Sequence, residues 1–94
     1  MTHIEVKILG TRKAQRYALR RTLTAAISDV IRSHPDLIVS ITEIGEMAQM
    51  ASYTQVFVYP SLVIDEKLVC TGRLPKREEI YIWICKATTV DKGM

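Results

Sequence analysis

The stretch Tyr59-Pro60-Ser61-Leu62-Val63-Ile64-Asp65 constrains the fold of this chain more than any other. It is an apolar run entered through an X-Pro bond and closed by the charged turn Asp65-Glu66-Lys67. Proline has no amide proton to give a ladder, so it belongs at the first residue of a strand. The run therefore predicts a hairpin, with strands over 61–64 and 68–71. Upstream, Ile4, Val6 and Ile8 alternate with Glu5, Lys7 and Leu9, which is the period of a strand.

Gly10-Thr11 breaks that strand, and Thr11 is an acceptable helix N-cap. From about Arg12 to Ser33 the apolar residues Leu19, Leu23, Ala26, Ile27, Val30 and Ile31 fall on one helical stripe. Ser33-His34-Pro35-Asp36 stops the helix, because residues before proline avoid the helical region. Leu37 to Thr42 is short, apolar and β-branched, as expected of a mostly buried parallel strand. A short helix is expected near 44–53, with Ile44, Met47, Ala48 and Ala51 on one side, although Gly45 weakens it. Val56 to Val58 leads into Pro60, and Gly72 to Pro75 is a loop. Lys76 to Ala87 reads as the last helix, with Glu78 and Glu79 in the first turn, where the dipole favours acids. The expected organisation is one domain over 1–87 and a flexible tail over 88–94.

The order β-α-β-α-β-β-α describes a small α/β layer structure, its strand–helix–strand unit closed by a right-handed crossover. Three markers stand in order: Ile8-Leu9-Gly10-Thr11, Pro60 to Asp65, and Gly72-Arg73-Leu74-Pro75 before Glu78-Glu79-Ile80. With these, the chain resembles the small single-domain thioredoxin-like proteins of the redox-active-disulfide and glutaredoxin-like type. The resemblance covers roughly residues 3–86. It implies a four-stranded mixed sheet, one parallel pair plus the hairpin, with helices on both faces. It also implies a cis Tyr59–Pro60 bond, and a groove where Tyr59, with Phe57 nearby, pairs its backbone with an extended peptide; the alternative is that Tyr59 and Phe57 cap the end of the core. In that family a Cys-x-x-Cys pair opens the first helix. Here the matching positions read Lys13-Ala14-Gln15-Arg16.

A dithiol works because the helix N-terminus stabilises one thiolate and a second cysteine resolves the mixed disulfide. Lys13 and Arg16 can do neither, so no catalytic residue is assigned. The two cysteines, Cys70 and Cys85, are fifteen residues apart and read as small hydrophobes; an atypical thiol oxidoreductase built on either is the alternative kept for them. His3 and His34 stand alone, and no spacing suggests a metal or another cofactor.

Charge supplies a second candidate. Residues 1–34 carry seven cations against two acids, a net +5, whereas the remainder is net −2. Arg12, Arg16 and Arg20 recur every four residues, with Lys13 and Arg21 alongside. Such cations repel one another and oppose the positive end of the helix dipole. Either this is a solvated face tolerated by packing elsewhere, or Lys13, Arg16 and the helix N-H groups hold a small anion or acidic ligand. Nucleic acid is not expected: Tyr17 is the one aromatic residue between Arg12 and Arg21, and no RNA-recognition signature is present.

The last helix offers a third. Ile80, Trp83, Ile84 and Ala87 form its inward stripe, which leaves Tyr81 and Ile82 beside it or facing away. Such a strip reads either as an interface, with a protein partner or a second copy, or as an ordinary exposed isoleucine. No 18-residue apolar run exists and no signal peptide is expected, so a cytoplasmic location is the default. The expectation is a binding or assembly module, homodimeric through its last helix or bound to a partner, without redox chemistry.

Overall fold

A computed structural model describes residues 2–50 and 60–93. Its elements are β1 (Thr2–Leu9), α1 (Lys13–Ser33), β2 (Leu37–Ile44), α2 (Met47–Met50), β3 (Ser61–Ile64), β4 (Lys67–Thr71) and α3 (Arg77–Gly93). The strands form one mixed sheet in the order β2-β1-β3-β4. β1 pairs in parallel with β2 from Thr2↔Leu37 to Leu9↔Ile44, and antiparallel with β3 from Val6↔Ile64 to Leu9↔Ser61.

The alternation along β1 sorts the core into two sides. Ile4, Val6 and Ile8 are buried against α1 and α3, joined there by Leu62 and Ile64 of β3. Leu9 points the other way and packs with Ile44, Val63 and Met50 of α2. The helices therefore lie on both faces. The α1 stripe buries Leu19, Leu23, Ala26 and Val30, with Ile27 half-buried and Ile31 exposed.

Three expected boundaries move. β2 continues past Thr42 to Ile44, so Ile44 ends a strand and does not begin a helix. Parallel pairing with Leu9 holds it there. α2 is a single turn in which Met50 is buried and Ala48 is exposed, while Ala51 lies outside the described residues, as do Val56 to Val58. α3 runs to Gly93 and takes in residues assigned to a tail. Thr88 is buried there, its hydroxyl donating to the Ile84 carbonyl at 2.9 Å, and no proline or glycine interrupts the helix before Gly93.

The hairpin turns on two residues, Asp65 (φ 48°) and Glu66 (φ 68°). Two successive left-handed residues are the signature of a type I′ turn, whose twist matches that of the flanking strands. Asp65 also prolongs the β1–β3 ladder: its N-H donates to the Glu5 carbonyl at 2.8 Å, and its carboxylate accepts the Glu5 N-H at 2.9 Å. Pro60 is buried one residue before β3, and its carbonyl accepts the Gly72 N-H at 3.0 Å.

Candidate functional site

The C-terminal ends of β1 and β2 meet the N-terminus of α1, and the sheet register decides which side chains gather there. Parallel pairing sets Ile8 opposite Glu43, and the parity that turns Ile8 toward α1 turns Glu43 the same way. No acid stands in the first turn of α1, so Glu43 brings from β2 the negative charge that this helix end lacks. Arg12 is the extended N-cap, and its N-H donates to Gln15 Oε1 at 3.4 Å.

Arg16 reaches back from the first turn into the notch between the strand ends. Its Nη1 donates to the Gly10 carbonyl at 2.7 Å and its Nε to Glu43 Oε1 at 3.2 Å. Arg20 Nη1 takes the other oxygen, Glu43 Oε2, at 2.9 Å. Two glycines make room for the guanidinium. A Cβ on Gly45 would lie 2.8 Å from Arg16 Nη1, and one on Gly10 would lie 3.3 Å from Arg16 Cγ. The Arg16 side chain is only 16% exposed. A planar fork that donates in two directions suits this task; a lysine ammonium would satisfy it less well.

The remaining cations of this pole are disposed otherwise. Arg12, Lys13 and Arg21 are exposed and form no ion pair among the described residues. Beside them Tyr17 is 65% exposed, and Leu74, from the loop before α3, is 50% exposed. Tyr17, Ala18, Arg21, Leu74 and Arg77 line a shallow depression of about 450 Å³. The loop that displays Leu74 is built. Gly72 has φ 79°, a conformation glycine adopts without strain, and Arg73 forms a fork with Glu79 at 2.9 and 2.7 Å. Glu79 also accepts the Lys76 N-H at 2.9 Å, capping α3. The Arg73 hydrogen bond, then that of Lys76, holds the Glu79 carboxyl down to about 2. Arg77 is anchored by Asp29 through two contacts of 2.6 Å, which lower the Asp29 carboxyl in turn.

The cysteines lie elsewhere and do not form a disulfide with each other. Cys70 is buried on β4, its thiol donating to the Arg73 carbonyl at 3.6 Å. Burial pushes that thiol up, away from the thiolate a nucleophile requires. Cys85 is half-buried on α3 and packs against the main core.

The sequence-derived site residues are thus dispersed. Arg16 is held in the clamp while Lys13 is exposed. Pro60 is buried, and Tyr59, with its bond to Pro60, lies outside the described residues. Tyr81 packs half-buried against the core, whereas Ile82 is 49% exposed. Sequence reasoning missed Glu43, Gly10 and Gly45 as the partners of Arg16. It also missed Tyr17 and Leu74 as neighbours across the α1–α3 depression. Only the pairing of β1 with β2 connects Arg16 to an acid 27 residues away.

The described residues contain no cluster of three metal-ligating side chains, and no helix among them is long and apolar enough to cross a membrane. The sequence model of a family described as "Thioredoxin domain" matches residues 4–85. No curated protein matches the chain.

Proposed function

We propose, from the premise that this chain belongs to the thioredoxin-domain family, that it acts by binding and not by dithiol exchange, as a protein-interaction module. The observation that carries this reading is the clamp at the start of α1. There a guanidinium joins the Gly10 carbonyl to Glu43, and neither cysteine of the chain lies in α1. The clamp ties the start of α1 to the ends of β1 and β2. Arg12, Lys13 and Arg21, without an ion pair among the described residues, stand beside Tyr17 and Leu74 and give this pole the character of a surface for an acidic segment bearing an apolar side chain. Charge steers such an encounter and the apolar pair supplies contact area.

The test is fluorescence anisotropy with a labelled peptide of alternating glutamates and leucines. Binding that weakens with salt, and weakens again in the Arg12→Ala/Arg21→Ala variant, supports the surface. Binding indifferent to both would remove it. An insulin-type reduction assay addresses the chemistry: no turnover is expected, and turnover lost in Cys70→Ser or Cys85→Ser would establish the thiol alternative. The small-anion alternative rests on Lys13 and the exposed helix end, with Arg16 already engaged.

Ile82 favours a second reading, self-association through α3. It is a large apolar residue half-exposed on the outer side of a helix whose inner side is already filled by Ile80 and Ile84. Sedimentation of the wild type and Ile82→Glu decides it. A dimer that the substitution dissociates places the interface on α3; a wild type that stays monomeric at high concentration does not.

A further inference from the structure

We infer that the groove between the β3–β4 hairpin and α3 is a binding site for a small aromatic carboxylate. This site lies at the other end of the sheet from the α1 clamp and does not depend on the binding role proposed for that pole. Ile64 pairs with Val6 and Asp65 with Glu5, whereas the clamp begins at Gly10, beyond Leu9.

The groove exists because of a bulge. Leu62 pairs with Cys70 and Val63 with Leu68, so Val69 is the extra residue of β4. Both Val69 and Cys70 then pack toward the helices, as bulges re-aim side chains. Val69, Ile64, Trp83 and Ala87 form the apolar wall of a space of about 390 Å³. That is the scale of a small-molecule site. Trp83 and Ala87 are one helical turn apart, and the indole supplies a face on which a flat ring can stack.

Charge sets the class of ligand. Lys67 and Lys86 line the same groove, are exposed, and form no ion pair among the described residues. Two acids stand near them. Glu66 pairs with Lys7, and Asp65, which also lines the groove, has its carboxylate held by the Glu5 N-H. With Glu66 paired, the lining sets two ammonium groups against the one carboxylate of Asp65, and an apolar wall with this net positive margin complements a ligand with a flat apolar body and one negative group. A neutral aromatic would leave the cations unused, and a small inorganic anion would leave the wall bare.

Trp83 is the one tryptophan of the chain, so its indole N-H gives a single reporter peak in a nitrogen–proton correlation spectrum. Titration with 2-naphthoate is expected to move that peak and the amides of 64–69 and 83–87 to a common saturation. The neutral 2-naphthamide should bind at least about tenfold more weakly. Lys67→Gln/Lys86→Gln, at exposed positions that leave the core intact, should bring naphthoate down to the level of naphthamide. Equal affinities for the two ligands in the wild type would overturn the proposal, as would an unchanged naphthoate affinity in the double variant. Shifts confined to Arg12–Arg21 would overturn it too, by placing the ligand on the α1 pole.

Discussion

Two sets of cations share the N-terminal half of α1 and have opposite fates. Arg16 and Arg20 face the sheet and converge on Glu43, with Arg16 also holding the Gly10 carbonyl. Arg12, Lys13 and Arg21 are exposed, with no acidic partner among the described residues. Like charges at one helix end thus become either a joint between elements or an available surface. Angular position does not separate them, since Arg12 shares the four-residue spacing of Arg16 and Arg20; the difference is which guanidinium meets Glu43, and the register of β2 on β1 sets that.

The comparison predicts unequal stabilities. Arg16→Ala leaves the Gly10 carbonyl without its side-chain donor and Glu43 with half its partners, and should lower unfolding stability by about 1–3 kcal/mol. Lys13→Ala and Arg21→Ala should change it by no more than about 0.5 kcal/mol. Urea unfolding measures all three, and equal losses would break the distinction between joint and surface. Gly45→Ala comes next, at about 1 kcal/mol, by displacing the guanidinium from the Gly10 carbonyl. If the clamp is one unit, Gly45→Ala and Arg16→Ala together cost less than the sum of their separate effects. Strict additivity would mean that Gly45 acts through something other than Arg16.

A smaller effect sharpens the contrast from the acid side. Glu79 is held by Arg73 and Lys76 at about 2, below its ordinary 4.5. The folded state therefore favours the ionised form. Its contribution is fully present above pH 4.5 and is lost as pH falls toward 2. Asp29, lowered by Arg77, acts in the same direction. Both pairs are exposed, so acid should erode stability gradually. Glu79→Gln should flatten that part of the profile; a variant whose stability falls as steeply as the wild type would show that other carboxylates carry the acid response. The least effect belongs to Ile82→Glu, which should leave the stability of a monomer within about 0.5 kcal/mol and act only where α3 meets another chain.

What the sequence determined by itself is what depends on neighbours within one element. The alternation from Ile4 to Leu9 assigned residues to the two faces of the sheet, and the 3–4 spacing of Leu19, Leu23, Ala26 and Val30 fixed the buried side of α1. Pro60 and the charged turn after Ile64 marked the hairpin, and the absence of any Cys-x-x-Cys was legible before any coordinates. Periodicity carries such information because strands and helices repeat every 2 and 3.6 residues.

The tertiary structure alone decided what lies between elements. Ile44 reads as helical by spacing from Met47 and Ala48, yet pairing with Leu9 makes it the last residue of β2. Tyr81 falls off the inward stripe by spacing, and only the packing shows it half-buried against the core. Lys13 and Arg16 read as one basic site, yet Arg16 is drawn into a notch between two glycines and an acid from another strand. The register of β1 on β2 brings Glu43 to Arg16, and no periodicity within α1 encodes it. Partners 27 residues apart are set by how the chain closes on itself.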